Sequence, residues 1–203
     1  KSDENYSHGD ERKIGILLVN LGTPDAPTTS AVRKYLAEFL ADPRIVEIPR
    51  IIWWLILNLI ILNIRPKKSR DLYKKVWTED GSPLLVTSKK IVKKLKNSKN
   101  IISNKNLSID LAMRYGNPSI KKALDNFKNN NINKLAIIPM FPQYSAATTA
   151  SIFDKISSEI KLWRNIPDVR FLSTYHDEPS YILACAERIK IFWKSKSKSK
   201  KLV

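Results

Sequence analysis

The chain has 203 residues, a hydrophobic content of 43% and a formal net charge of +17. This hydrophobic content supports a packed core and excludes a disordered chain, and the single cysteine excludes an internal disulfide framework. The lysines are spread along the chain without the interleaved aromatics of an RNA-binding sheet, so the charge predicts acidic small molecules or anionic lipid as partners, and no nucleic acid.

The first strand is predicted from Ile14 to Asn20, after a polar segment, residues 1–12, that predicts a mobile tail. The run IGILLVN is short and largely apolar, which is typical of a strand buried on both faces. It ends in a turn at Gly22, a residue used where the backbone must approach another group closely. Hydroxyls beginning at Thr28 offer N-caps for a helix that continues to about Leu40.

The next segment, residues 51–64, is an apolar run in which only Asn58 and Asn63 are polar. A bilayer span needs about 20 residues, so this run is too short to cross a membrane. It predicts either a buried helix or an exposed apolar lip that meets a flat hydrophobic ligand or the membrane interface. Basic residues follow at once and place cationic groups beside the apolar run: Arg65, Lys67, Lys68 and Arg70.

Strands and helices alternate along the rest of the chain. Further strands are predicted at residues 107–113, 135–140 and 169–174. Helical patterns are found at residues 82–96, 119–130 and 146–163. This alternation predicts an α/β fold with a parallel sheet covered by helices on both faces. The sequence has neither a dinucleotide-binding glycine motif nor a Walker motif, so these two nucleotide-binding classes are excluded.

The segment KLAIIPMFPQYSAATTAS, residues 134–151, carries the strongest local signal for a ligand. A buried-type strand breaks at two prolines and runs into hydroxyl side chains that open a helix. Ligands of open α/β sheets bind at the carboxyl ends of strands, and a helix start suits an anion. The alternative interpretation is an ordinary N-cap with turn prolines.

Two side chains near the carboxyl end of the chain invite a functional interpretation that we do not adopt. Cys185 lies in an apolar helical pattern with Tyr181 and Ile189, which predicts a buried structural thiol. His176 lies between the fourth strand and this helix, and nothing in the sequence places it in a cleft. Two histidines and one distant cysteine give no metal-ligand spacing, so no metal site is predicted in this chain.

Five motifs in order resemble those of the ferrochelatase family, which inserts ferrous iron into protoporphyrin to make haem. They are VNLGTPDAPT near the start, the apolar stretch containing WW, YKKVWTEDGSPL, AMRYGNPS and FPQYSAATTAS. The resemblance runs from about Lys13 to the end of the chain and is to the proteobacterial type. It implies a Rossmann-like, chelatase-like domain over residues 13–174 that includes the apolar lip.

The resemblance implies a set of porphyrin-binding residues. The stretch that begins at Arg65 is similar to the family's propionate-binding motif, and by that match four side chains bind the porphyrin carboxylates: Arg65, Lys68, Tyr73 and Ser82. Arginine, lysine and hydroxyl donors suit such carboxylates. From the residues alone, the first three would be an ordinary basic helix with the tyrosine packed inward. Ser82 would be the N-cap of the following helix, with Pro83 at its first position.

The same resemblance implies roles for four residues at strand ends. Arg114 and Tyr115 lie on the inner wall of the porphyrin cleft, with the arginine on the metal side. Leu21 packs on the macrocycle face, and Phe141 stands where many relatives have tyrosine. From the residues alone, a strand-end arginine more often pairs with a local carboxylate such as Asp110.

The family's proton acceptor is a histidine in a Ser-x-His-Gly/Ser-Leu-Pro motif after a strand, assisted by a distant glutamate. Leu202 and Val203 resemble the first residues of that strand. We therefore expect no catalytic residue within the chain and place the histidine and glutamate beyond Val203. Residues 175–203 are expected to form a crossover helix and the start of an incomplete second domain that is largely missing.

The function implied by the resemblance is that of a ferrochelatase, a lyase that forms protohaem from protoporphyrin IX and Fe²⁺. Iron is expected as substrate, with no permanently bound cofactor and no iron–sulfur cluster, because the cysteines for one are absent. The expected location is the cytoplasm, either free or peripheral at the inner membrane through residues 51–64. The alternatives are a non-catalytic tetrapyrrole-binding module, if 203 residues are the whole protein, or a related cobalt or coproporphyrin chelatase.

Overall fold

A computed structural model of the chain describes residues 13–98 and 106–196. The predicted tail, residues 1–12, and the predicted strand start at Leu202 and Val203 lie outside the described residues. One sheet of four strands is present in the described chain, in the order β2-β1-β3-β4, and each pairing is parallel. The strands are β1 (Ile14–Thr23), β2 (Leu107–Gly116), β3 (Lys134–Pro139) and β4 (Asp168–Phe171).

Helices connect the strands as the sequence predicts. Helix α1 covers Thr29–Leu40, and a long helical segment follows as α2 (Arg50–Ile56), a π-helical turn (Leu57–Ile61) and α3 (Leu62–Val76). Then come α4 (Pro83–Lys96), α5 (Ile120–Asn129) and α6 (Ser151–Ile160), which is preceded by a second π-helical turn (Ala146–Ala150), and finally α7 (Pro179–Lys196). The predicted α/β fold is confirmed.

Alternating side chains of the strands bury the two faces of the sheet under different helices. On one face, Leu17 and Val19 of β1 are fully buried in a cluster that includes Leu124 of α5 and Ile156 of α6. On the other face, residues of β1 and β2 pack against α4: Leu18, Ile109, Leu111 and Met113 form one cluster with Val92. Both faces of β1 and β2 are therefore covered by helices, as predicted, whereas three of the four residues of β4 are exposed.

A third apolar cluster lies beside the carboxyl end of β2 and anchors the long helical segment. Leu57 and Leu62 of that segment are buried there with Tyr35 of α1 and Tyr115 of β2. The indole nitrogen of Trp53 adds a hydrogen bond of 2.7 Å to the carbonyl oxygen of Leu40. These contacts fix one side of the segment and leave the opposite side to solvent.

The first strand is longer than predicted because it continues to pair with β2 beyond Asn20. Gly22 lies opposite Tyr115 and Thr23 opposite Gly116 in the parallel register. Gly22 has a φ of 113°, and a Cβ built there would lie 1.9 Å from the carbonyl oxygen of Tyr115. The close backbone approach that the sequence predicts at Gly22 is thus an approach to the neighbouring strand.

The prediction that Cys185 is buried is wrong, because its side chain is exposed. It lies on α7, whose residues take part in none of the three clusters of buried side chains. Apolar residues of the same helix, Leu183 and Phe192 among them, are exposed too. An apolar helical pattern predicts burial only where another element covers it, and the described chain supplies no such element for this face.

In the described ranges, no helix meets the length and apolarity that a membrane span requires.

Candidate functional site

Three strand ends bring predicted site residues to one edge of the sheet. Leu21 lies between Asn20 and Gly22, whose register partners are Met113 and Tyr115 on either side of Arg114. Phe141 follows β3, where the amide of Met140 donates to the carbonyl oxygen of Val19 over 2.7 Å. This is the carboxyl edge of the sheet, where the ligands of open α/β folds bind.

A buried carboxylate that the sequence analysis missed organises this edge. Asp42 follows α1, and its side chain is only 3% exposed. Its Oδ2 atom accepts hydrogen bonds from Arg114 Nη2 at 2.5 Å, the Tyr115 hydroxyl at 2.8 Å and Ser151 Oγ at 2.5 Å. Its Oδ1 atom accepts the backbone amide of Arg44 at 2.7 Å. Both carboxylate oxygens are therefore occupied by groups of the protein itself.

Arg114 is held rigidly by this carboxylate and by the start of α6. Its Nε atom donates to Ser151, at 2.7 Å to the hydroxyl and 3.0 Å to the carbonyl oxygen. Its guanidinium carbon lies 4.4 Å from the centroid of the Tyr115 ring. Arg114 does pair with a carboxylate, as the alternative interpretation expects, but the partner is Asp42 and not Asp110, which accepts the amide of Leu111 and lies near the Asn126 amide.

The surroundings of Asp42 and Tyr115 determine whether each side chain is ionised. Burial alone would raise the pKa of Asp42, but the hydrogen bonds from Ser151, the Arg44 amide and Tyr115, together with the Arg114 charge, hold that pKa below its usual value. Burial raises the pKa of Tyr115 well above its usual value. At neutral pH, Asp42 and Arg114 therefore form an ion pair without net charge, and Tyr115 remains a neutral phenol.

The third apolar cluster, which includes the rings of Tyr35, Phe39, Tyr73 and Tyr115 and is called the aromatic cluster below, adjoins the hydrogen-bond network of Asp42 and contains three of the predicted porphyrin-binding residues. Tyr115 is fully buried, and Tyr73 and Leu21 are half-buried against the same cluster. Tyr35 lies edge-on to both tyrosines, with ring centroids 6.5 Å from Tyr115 and 6.4 Å from Tyr73. Burial raises the pKa of Tyr73 and of Tyr35, so both are neutral hydrogen-bond donors at physiological pH.

The predicted cationic residues lie on the outer side of α3. Arg65 and Lys68 are exposed, and no carboxylate within the described ranges forms an ion pair with either of them. The neighbouring Arg70 differs, because it pairs with Asp71 and donates to Thr29. Arg65 and Lys68 are thus cations whose charge the described part of the chain leaves uncompensated.

Ser82 and Phe141 fall in different surroundings from the aromatic cluster. Ser82 occupies the N-cap position of α4 with Pro83 next, as the alternative interpretation predicts, but its hydroxyl makes no capping hydrogen bond. Ser82 is nevertheless buried, with only 6% of its surface exposed. Phe141 is half-buried against the cluster beneath α5 and α6, against which Trp163 and Phe171 also pack. The structure therefore groups Leu21, Tyr73 and Tyr115 and leaves Phe141 apart from them.

The hydroxyl residues that open the helix after β3 divide into two sets. Ser151 is fully buried in the Asp42 network, whereas Ser145 is exposed and its carbonyl oxygen accepts the amides of the first turn. Thr149 is buried with no hydrogen-bond partner for its Oγ1 atom among the described residues.

The exposed His176 contacts Thr174 Oγ1 through Nδ1 at 2.6 Å and lies outside the network. No group of three or more potential metal-ligating side chains occurs in the described ranges.

The apolar run from Ile51 to Ile64 is mainly exposed, so the buried-helix alternative is wrong for most of it. Ile51 is 81% exposed, Leu59 65% and Trp54 61%. The two amides of the run bond to its own backbone: Asn58 donates to the carbonyl oxygen of Trp54, and Asn63 donates to those of Asn58 and Leu59. The run therefore presents an apolar surface whose amide groups are satisfied internally.

The chain is similar in sequence to known proteins over nearly its whole length. A family model described as ferrochelatase matches residues 13–203. A ferrochelatase of Marinobacter nauticus is 50% identical over 200 residues, which cover 98% of this chain and 54% of that protein. Ferrochelatase 2 of Shewanella oneidensis is 50% identical over 97% of this chain and 60% of its own length. A ferrochelatase of Alcanivorax borkumensis is 49% identical over 100% of this chain and 60% of its own length. The chain spans little more than half the length of these relatives.

Proposed function

Because the chain belongs to the ferrochelatase family, we propose that it contributes to the insertion of ferrous iron into protoporphyrin IX. In this proposal the chain forms one wall of the porphyrin site and supplies the contacts to the propionates. Iron is a substrate, and no resident cofactor is required. No residue of the described chain is assigned as the proton acceptor for the pyrrole nitrogens.

The observation that carries the proposal is the arrangement of α3. This helix presents the uncompensated cations Arg65 and Lys68 on its exposed side. Its inner side contributes Tyr73 to the aromatic cluster that Leu21 also contacts. An amphiphile with a flat apolar ring and two carboxylate tails needs both kinds of surface side by side.

The proposed role of each group follows from its surroundings. Arg65 and Lys68 bind the propionates as charged donors, and Ser82 offers a hydroxyl that no cap consumes. Leu21 and the aromatic cluster give the macrocycle an apolar wall. Tight packing of the ring against such a wall uses binding energy to distort it, which exposes nitrogen lone pairs to the metal. The Nη1 atom of Arg114 takes no part in the hydrogen bonds to Asp42 and Ser151, so it can donate a hydrogen bond to the ligand.

Haem formation tests the enzymatic proposal. Residues 13–203 would replace the matching segment of the Marinobacter nauticus ferrochelatase, and haem would be followed anaerobically with Fe²⁺ and protoporphyrin IX. We expect the hybrid to form haem, and we expect Arg65→Gln with Ser82→Ala to raise KM more than they lower kcat. A folded hybrid that binds porphyrin without forming haem would contradict the enzymatic proposal.

We also propose that the apolar run 51–64 contacts the membrane surface from the cytoplasmic side. Its exposed isoleucine, leucine and tryptophan side chains lie directly before the cations of α3. An apolar face beside basic residues favours partition into the interface of an anionic bilayer. Such contact would bring the proposed porphyrin site close to the membrane, where an apolar porphyrin partitions.

A further inference from the structure

The positive charges near the proposed porphyrin site differ in how they are compensated. Arg114 lies 2.5 Å from a carboxylate oxygen of Asp42, and both side chains are largely withdrawn from water, with exposures of 12% and 3%. Arg65 and Lys68 are exposed and form no ion pair within the part of the chain that the structure describes. An anion that approaches this surface therefore meets exposed, unpaired cations on α3, Arg65 and Lys68 among them, and a neutralised one at β2.

The pairing of Asp42 with Arg114 is fixed from several directions. Asp42 also accepts hydrogen bonds from Tyr115, Ser151 and the Arg44 amide, so its carboxylate has no freedom to turn away. Arg114 is held at its Nε atom by the hydroxyl and carbonyl oxygens of Ser151. A ligand carboxylate could not displace Asp42 without breaking this whole set of buried hydrogen bonds.

We infer that Asp42 is a positioning residue that masks the charge of Arg114 and so directs the carboxylates of an anionic tetrapyrrole to α3. The inference rests on the proposed function, because it assumes that the tetrapyrrole binds at this edge. A carboxylate that approached Arg114 would be repelled by Asp42 over nearly the same distance at which Arg114 attracts it. The same ligand gains a full charge interaction at Arg65 and Lys68.

This masking determines how the ligand is oriented, because it makes one of two possible placements of the propionates unfavourable. If Arg114 were unpaired, a porphyrin dianion could place its propionates either at α3 or at the end of β2. Specificity depends on the difference between such alternatives, and the Asp42 carboxylate lowers the affinity of only one. Arg114 then remains available, through Nη1, for a hydrogen bond to a neutral part of the ligand.

The test compares two ligands with the same ring and different charge, protoporphyrin IX and its dimethyl ester. Both are titrated into the 203-residue chain in a neutral detergent, and the ratio of their affinities measures how much the carboxylates contribute. The wild-type chain is expected to prefer the diacid. If it binds neither ligand, the proposed function fails, and this outcome is distinct from failure of the inference.

Two variants separate the contributions of the cations. In Arg65→Gln/Lys68→Gln, the preference for the diacid is expected to fall roughly fivefold to twentyfold, the loss of two exposed charge pairs. In Asp42→Asn/Arg114→Met, the affinities for diacid and diester are expected to fall alike, leaving their ratio within about twofold of wild type. If this second variant loses the diacid preference instead, Arg114 itself binds a carboxylate and the inference is overturned.

A third variant tests masking by a gain of effect, which partial unfolding cannot produce. Adding Asp42→Asn to Arg65→Gln/Lys68→Gln uncovers the charge of Arg114, so the preference for the diacid is expected to return. A folded triple variant that still binds both ligands equally overturns the inference. If this variant does not fold, the Asp42→Asn/Arg114→Met result decides, because removing both partners of a buried pair leaves no unpaired charge.

Discussion

At the scale of single residues, the buried carboxylate of Asp42 must stay ionised to keep its ion pair with Arg114. Its pKa is lower in the folded protein than its ordinary value of 3.8. A group whose pKa is lowered by folding stabilises the fold above its unfolded-state pKa, and this contribution is lost as the pH falls through the folded-state value. Acid should therefore weaken the network that holds Arg114 and Tyr115.

We predict that Asp42→Asn lowers the free energy of unfolding by about 2–4 kcal/mol at pH 7, because Arg114 loses its buried partner. The difference from wild type should begin to shrink as the pH falls below about 4, since the unfolded wild-type chain then binds a proton at Asp42 that the folded carboxylate, with its lowered pKa, does not bind. Denaturant unfolding between pH 7 and pH 3 measures this difference. Asp125→Asn is the control, because Asp125 forms an exposed pair with Lys121 whose loss costs under about 1 kcal/mol. A difference that stays constant down to pH 3 would refute the assignment.

Asp42 also shows which part of the site a single sequence does not reveal. It lies 72 residues from Arg114 and 109 residues from Ser151 along the chain, so no local pattern connects the three. The sequence predicted hydroxyls at the helix start, and Ser151 is among them, but it could not predict that Ser151 donates to a carboxylate. Only the parallel packing of the strand ends against α1 and α6 brings these side chains together.

At the scale of elements, two serines occupy equivalent N-cap positions and differ in what their hydroxyls do. Ser119 accepts the Lys122 amide at 3.3 Å at the start of α5, whereas Ser82 makes no capping bond at the start of α4. We predict that Ser119→Ala lowers the free energy of unfolding by about 1 kcal/mol, the usual contribution of a cap, and leaves porphyrin affinity unaffected.

Ser82→Ala should show the opposite pattern. Its effect on unfolding should stay below about 0.5 kcal/mol because no cap is lost, while porphyrin affinity falls roughly threefold to tenfold if its hydroxyl binds a propionate. Denaturant unfolding and porphyrin titration of both variants provide the comparison. Equal loss of stability in the two variants, with no change in porphyrin affinity for Ser82→Ala, would remove Ser82 from the binding site.

The apolar run 51–64 allows a second matched comparison, with α7. Leu59 of the run is 65% exposed and Leu183 of α7 is 63% exposed. We predict that Leu59→Glu lowers partition onto vesicles of phosphatidylglycerol and phosphatidylethanolamine several-fold, because an apolar group that enters the interface becomes charged. Leu183→Glu should leave partition unchanged. Equal effects of both substitutions in a vesicle sedimentation assay would contradict a membrane contact confined to the run.

These two helices also explain where sequence patterns mislead. The strands were predictable because short apolar runs bounded by turn residues have few alternatives to burial inside a sheet. The exposure of the apolar helices was not predictable, since it depends on which other elements cover them. The described chain covers Leu57 and Leu62 of the long segment and leaves most of that segment and Cys185 of α7 exposed.

At the scale of the whole molecule, the described residues provide one four-stranded parallel sheet and an exposed apolar surface on the segment 51–64. The chain matches the family model from residue 13 to residue 203 and spans 54–60% of the relatives described above. Helices bury both faces of β1 and β2, whereas three of the four residues of β4 are exposed. The proposed porphyrin binding is measured on this chain, and haem formation is tested in the hybrid.

The most direct test of the account is the affinity of the 203-residue chain for protoporphyrin IX, measured by quenching of tryptophan fluorescence. The matched variants are Arg65→Gln/Lys68→Gln on α3 and Lys89→Gln/Lys93→Gln, two exposed lysines on α4. We expect saturable binding of protoporphyrin IX that weakens roughly tenfold in the α3 variant and less than twofold in the α4 variant. No saturable binding, or an equal loss in both variants, would contradict it.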